Sequence, residues 1–537
     1  MISSASLEAA QALVAAVALG LCAVALPAAL VVAARPFRGR ERWWLFGIVV
    51  VAATLRWVAP LEMVTAFVGF KLTEHAIALL PVPHYGIGGT ALYHALFTVL
   101  PPDHVTLMAA NAVMGVLAVP LVAAWAAWLF ADRRAGLLAA ALVAATPLLV
   151  RNDTSDALQV PMLLALVGGA TLLARHLRTG AIEPLLGSAP LLLLAAICRP
   201  EGPLLVGLSS GVTLLARPPG SPPLWRSLVV AALLCAAVLP HVLHCINAVD
   251  ALRRQSGLPG FDGSELSVLP WTLVFRDVLL RPLSFPVGVT ALGVAALALR
   301  GPGRRRADVA LAAAALLAVA VTVVDLDEAN IERVQTPAAL LWTVLAAGGA
   351  ARLDRWRRAP VIALALALAT ALPTVAPLFA DSNEATEERL IRASLEALPD
   401  GPFTLVRLDE EDRRLDDPGS THVHFPDYLF RPPAREGTLR SAASFLADPD
   451  LDAAYFFWGM RCYARFRTRG TPAPHGEDTH PACSAMRAQL GLVPVVEWDA
   501  PNRGDVRLPL YGDAPTLRVG LYRILTVEQA GANRLSR

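Results

Sequence analysis

Apolar runs separated by short arginine-rich turns fill the first 380 residues of the chain, and one link breaks that rhythm. Runs long enough to approach a hydrocarbon core of roughly 30 Å fall near 8–34, 43–60, 105–131, 136–150, 158–175, 184–198, 203–217, 227–247, 282–299, 309–325, 335–350 and 359–380. The pattern predicts a polytopic α-helical membrane protein with about twelve spans. The runs at 184–198 and 203–217 are short and parted only by Arg199, Pro200, Glu201 and Gly202, which predicts a shallow helical hairpin beside a cavity. The first run has no basic leader and outlasts a signal-peptide core of about 7–15 residues, so it is expected to be retained.

Beyond residue 380 the pattern changes to short alternating segments in mixed polar sequence. Helices are predicted at Glu384–Leu398 and Thr438–Leu446, with strands at Phe403–Leu408, Ala453–Trp458, Val493–Trp498 and Leu517–Leu525. Residues 381–537 therefore read as a soluble α/β domain, large enough for its own core. The expected division is 1–380 in the membrane and 381–537 outside it.

Composition agrees with the hydropathy pattern: 55% of residues are hydrophobic and the mean hydropathy is +0.52. A net charge of +2 gives no footing for a nucleic-acid partner, and the arginines gather at span ends instead of on one face. The links at 35–42, 132–135, 175–180, 217–226, 300–308 and 351–358 carry those arginines on alternate turns, which by the positive-inside rule marks the cytoplasmic face. The opposite face receives the loop after Leu61, RNDTSDA (151–157), RPEG (199–202), DLDEANIER (325–333) and the terminal domain. That assignment predicts a bacterial inner-membrane protein with a periplasmic domain. Cys462 and Cys483 are the only cysteines of that domain; an oxidising periplasm would let them pair, and two buried free thiols are the other reading.

The link that breaks the rhythm runs from Leu61 to His104 and reads as a long outward loop. It holds Glu62, Lys71, Glu74, His75, His84 and Tyr85, and Lys71 is the single lysine of the chain. Arg56 stands one turn before the preceding span ends, where an arginine must snorkel or pair, and Glu62 is within its reach along the chain.

Local strings within residues 43–380 carry a family likeness. TLRWVAPLE, HYGIGGTALYHALFTVLPP and WLFADRRAGLLAAALVAATPLLV follow one another in the order of the N-terminal core of GT-C membrane glycosyltransferases. The chain resembles the RgtA/B/C/D-like and protein-mannosyltransferase-like branch, and RPEGPLLV and NIERVQTPAALLWTVLAAGGA are similar to its mid-chain hairpin and a late span entry. The resemblance implies transfer of a sugar from a polyprenyl-phosphate carrier to a lipid, glycan or protein acceptor outside the cytoplasm. It also implies an acidic base in the first outward loop. The Asp-Glu or Asp-x-Asp cluster common in the family is absent, which leaves Glu62, favoured by its place at the span exit, and Glu74.

Transfer from a lipid phosphate needs a base for the acceptor hydroxyl and fixed positive charge for the departing phosphate. Lys71 suits the second task as a flexible point charge, or it snorkels at the headgroups. Arg56, Arg199 with Glu201, and Arg333 are further candidates for the substrate site, as are His84, Tyr85 and Asp153; for Arg199 surface ion pairing is the competing reading. Asp156 is expected to cap the next helix. Asp325 and Asp327 raise a divalent metal only as a minor hypothesis, and neither His241 with His244 nor His422 with His424 has a zinc spacing. The sequence names no cofactor. A transporter or flippase of a lipid-linked substrate, or a catalytically silent GT-C-like scaffold, are the rival readings; a transporter should show an internal repeat and interrupted helices near the midplane.

Overall fold

The structure is a computed structural model that describes residues 4–59, 61, 68–82, 85–255, 287–298, 305–324, 335–352, 383–408, 437–463, 481–501 and 515–529, with the single positions 365 and 369. The chain divides into two compact units, Met1–Thr65 with Leu72–Ala380 and Ala66–Lys71 with Asp381–Arg537. Among the described residues before position 383 the helices are α1 (Ser4–Ala33), α2 (Arg40–Val58), α3 (Val68–Ile77), α4 (Gly88–Phe97), α5 (His104–Phe130), α6 (Arg133–Ala145), α7 (Pro147–Asp153), α8 (Gln159–Thr179), α9 (Ile182–Ile197), α10 (Gly202–Leu215), α11 (Leu224–Gln255), α12 (Val287–Ala298), α13 (Arg305–Val324) and α14 (Thr336–Arg352).

Capping explains the sharp turns. Asp103 accepts from Thr106 N at 2.6 Å to start α5, and Asp132 accepts from Arg134 N at 2.9 Å to start α6. Between α5 and α6, Ala131 is left-handed at φ 53° and Asp132 is extended. Pro147 has no N–H and disfavours helical torsions at Thr146, which is extended there, so α6 and α7 meet at 63°. The link between α9 and α10 is four residues long, and the two helices pack on one another as a hairpin.

Among the described residues, α1, α5, α8 and α11 are long and apolar enough to cross a membrane, and the bent α6–α7 pair would make a fifth span. Helix lies at eleven of the twelve expected positions; the last, 359–380, falls outside the described residues apart from two single positions. The expected count of about twelve spans is not confirmed among the described residues, where α9 and α10 have only 16 and 14 residues. Burial ranks the spans: α8 is central at 94% buried, whereas α1 and α11 are peripheral at 28% and 17%. One continuous apolar core joins α1, α5, α6, α8, α9 and α14.

The second unit contains a five-stranded sheet of β1 (Phe403–Arg407), β2 (Gly437–Ser441), β3 (Ala454–Trp458), β4 (Gly491–Pro501) and β5 (Thr516–Leu525), in the order β2-β1-β3-β5-β4. β1 is parallel to β2 and β3, and β5 is antiparallel to β3 and β4. Helices α15 (Asn383–Glu396), α16 (Ala442–Ala447) and α17 (Pro481–Gln489) accompany it. The helix expected over Thr438–Leu446 is corrected. Thr438 to Ser441 pair with Thr404 to Arg407 as strand, and the helix starts only after Ser441, whose hydroxyl accepts from Ser444 N at 3.1 Å. Pro494 lies at a register shift on the edge strand β4, where its missing N–H costs no ladder bond. In the core, burial and a 2.6 Å hydrogen bond donated to Glu497 hold the Tyr522 phenol above its usual range.

Cys462 and Cys483 form a disulfide with Cα atoms 5.7 Å apart, tying the short 3-10 turn Met460–Tyr463 to α17 inside this core. Closing a 21-residue separation restricts the unfolded chain by about 3 kcal/mol. Replacing both cysteines by serine is expected to lower the unfolding midpoint of the full-length protein, and reductant should then have no further effect on that variant. A midpoint equal to wild type would overturn this.

Candidate functional site

The segment Leu61–His104 is not one long loop. It carries α3 and α4, and between them Val82 and Gly86 exchange backbone hydrogen bonds at 3.1 and 2.9 Å, closing a tight turn that presents Tyr85. Two histidines tie the segment to itself: His75 Nδ1 lies 3.0 Å from Pro81 O, and His94 Nδ1 lies 2.8 Å from Ala76 O. Glu74 is exposed on α3. Glu62, His84, Arg333, the DLD string, and His422 with His424 lie outside the described residues, as does the side chain of Lys71.

Arg199, in the turn between α9 and α10, is only 1% exposed. Its guanidinium pairs through Nε with Glu201 Oε1 and lies over the Tyr85 ring, 4.5 Å from the centroid. Gln159, the first residue of α8, faces the same group; with its carbonyl oxygen on that side it accepts from Nε and Nη1 at 3.3 Å. Arg199 is therefore ion-paired but buried, unlike the surface pair of the competing reading. Burying a guanidinium is costly unless it is hydrogen-bonded and paired, and a carboxylate, an amide and a ring face supply those contacts here. Tyr85, Arg199 and Glu201, three of the sequence candidates, are thus brought together.

Arg56 and Asp153 meet elsewhere. Arg56 Nε donates to Asp153 Oδ2 at 2.7 Å, Nη2 lies 2.6 Å from the same oxygen, and Nη1 donates to the carbonyls of Ala52 and Ala144 at 3.2 Å. The arginine thus joins α2 to the α6–α7 bend; the expected partner Glu62 lies outside the described residues. Helix α5 closes the other side: a Cβ at Gly115 would fall 2.2 Å from Asp153 Cγ, so only glycine fits beside the carboxylate.

The whole string 152–157 is buried: its first residues end α7, and the turn after them packs inside the unit. Tyr93 donates to Asn111 at 2.6 Å, Asn111 donates to the carbonyls of Ser155 and Ala157 at 2.7 and 3.3 Å, and Asn152 donates to Thr336 on α14. Asp156 is 1% exposed, and α8 starts after Leu158. Asn111, Asn152 and Gln159 were missed by sequence reasoning. The available signal was an uncharged amide within or beside an apolar run, where burial demands a partner.

Among the described residues no three of His, Cys, Asp and Glu are grouped to hold a metal ion. A small cavity is lined by Gln11, Val14, Ile87, Gly88, Ile197, Ala237, Pro240 and His241.

No family model and no curated protein matches the chain. Solved structures do. ArnT from Cupriavidus metallidurans aligns with a TM-score of 0.51 and 12% identity in its apo state, over 90% of this chain and 98% of that one. Its complex with undecaprenyl phosphate aligns with the same score and 13% identity, over 89% and 97%. The Archaeoglobus fulgidus oligosaccharyltransferase in its apo form aligns with a TM-score of 0.42 and 13% identity, over 68% of this chain and 62% of that one, so the chain spans about three fifths of that protein's length. Over nearly its full length the chain shares the fold of ArnT from Cupriavidus metallidurans.

Proposed function

We propose that the chain is a membrane glycosyltransferase that moves a sugar from a polyprenyl-phosphate carrier to an extracytoplasmic lipid, glycan or protein. The observation that carries this reading is the end-to-end likeness to ArnT, one of whose structures holds undecaprenyl phosphate. A buried arginine stacked on a tyrosine of the segment that also bears both candidate bases supports it. In the proposed step a glutamate, Glu62 or Glu74, takes the proton of the acceptor hydroxyl. The acceptor oxygen bonds to the anomeric carbon from the face opposite the carrier. The bond from that carbon to the phosphate oxygen breaks with its electron pair on the phosphate, so configuration inverts and polyprenyl phosphate leaves.

Arg199 neutralises the phosphate in this scheme, with Lys71, His84 and Arg333 as further contacts and Tyr85 and Glu201 orienting the guanidinium. Arg56 and Asp153 are assigned to bracing α2 against α7, since each already satisfies the other. No cofactor enters the step. The proposed setting is the bacterial inner membrane, with residues 381–537 in the periplasm.

Purified protein in proteoliposomes, supplied with labelled polyprenyl-phosphate sugars, provides the test. Wild type is expected to release polyprenyl phosphate, and Arg199→Gln to lose on the order of 10²-fold in kcat/KM through the missing charge on the leaving group. Failure of wild type with every hexosyl and pentosyl donor would overturn the enzyme reading in favour of the silent scaffold.

A further inference from the structure

His241 is unused by the proposed chemistry, yet it stands directly behind it. It belongs to α11, a helix largely turned away from the core, while its own ring is 2% exposed. Nε2 lies 3.1 Å from the carbonyl oxygen of Arg199. A carbonyl only accepts, so Nε2 carries the proton, and Nδ1 of the neutral ring is left as an acceptor.

That Nδ1 edge faces Gly86. A Cβ built on Gly86 would sit 2.7 Å from Nδ1 and 3.0 Å from Cε1, and φ there is +74°, so glycine is required on both counts. Gln11 of α1 reaches the same place: its Oε1 would be 3.3 Å from that Cβ. The amide is 3% exposed, donates through Nε2 to Pro240 O at 3.3 Å, and holds Oε1 buried without a partner. One imidazole therefore touches two backbone segments at once. The first carries Arg199; the second carries Tyr85, the residue before Gly86.

We infer that His241 is a positioning residue for the Arg199–Tyr85 stack, fixing the Arg199 main chain through Nε2 and backing the Tyr85 turn with its ring. It touches no substrate. The inference deepens the proposed phosphate-binding role of Arg199 and rests on that reading for its functional consequence. Without the ring, the Arg199 carbonyl loses a buried donor and the Tyr85 turn loses its support, so the guanidinium is no longer delivered at one angle. Glutamine can restore a donor at the reach of Nε2; leucine cannot.

The experiment measures binding of undecaprenyl phosphate to the full-length protein in nanodiscs, for wild type, Arg199→Gln, His241→Leu and His241→Gln. His241→Leu is expected to weaken binding on the order of tenfold, and His241→Gln to bind within about threefold of wild type. Binding by His241→Leu equal to wild type, where Arg199→Gln has lost it, would overturn the positioning role. Equal binding by wild type and Arg199→Gln would instead condemn the phosphate reading of Arg199. The positioning role is then decided by a thermal double-mutant cycle of His241→Leu with Tyr85→Leu, which needs no ligand. Midpoint losses smaller together than their sum support the coupling, and simple additivity overturns it.

Discussion

Replacing Glu62 or Glu74 by glutamine is expected to abolish transfer in one variant, by about 10²–10⁴-fold in kcat, and to leave the other within a few-fold of wild type. Glutamine keeps the size of glutamate and one acceptor oxygen but has no usable basicity, so the loss reports proton abstraction and not shape. A base must be within hydrogen-bond reach of the acceptor hydroxyl, and only one of two glutamates twelve positions apart can satisfy that for a single acceptor pose. The measurement is single-turnover transfer from labelled polyprenyl-phosphate sugar at saturating donor. The defective variant should bind donor normally. Unchanged turnover in both variants would remove both glutamates from the mechanism.

Removing one member of the Arg56–Asp153 pair is expected to cost about 3–5 kcal/mol of stability, because the partner is left as a buried uncompensated charge. Both side chains are nearly inaccessible, at 1% and 11% exposure. Arg56→Met should thus lower the unfolding midpoint in detergent by several degrees, and Asp153→Leu should do the same. The two together should recover most of the loss, since an apolar pair needs no compensation. Additive losses in the double variant would show that the charges act separately, with other partners, and would contradict the bracing role. Polyprenyl-phosphate binding by the double variant should stay near wild type, which separates this brace from the Arg199 site.

Local pattern read the helices well. Eleven expected runs fall on helix among the described residues, because a helix satisfies its own backbone and its apolar face is written in consecutive sequence. The strands Phe403–Arg407, Ala454–Trp458 and Thr516–Leu525 were legible for the same reason. Thr438–Leu446 was misread because its first residues become strand only through parallel pairing with β1, a contact that no local preference encodes. The burial of 152–157 was missed because polar composition alone describes a loop; the bend at Pro147 and the amide of Asn111 turn that string inward.

The sequence by itself determined an apolar helical chain followed by an α/β segment, and it offered Glu62 and Glu74 as candidates. Hydrophobic burial is proportional to area and non-directional, so its pattern survives in one dimension. Tertiary structure alone decided which charge meets which. Arg56 found Asp153, 97 positions away, and Arg199 found Tyr85, Gln159 and the ring of His241. Ion pairs and hydrogen bonds act over a few ångströms and in fixed directions, so their partners are set by how the helices pack and not by spacing along the chain.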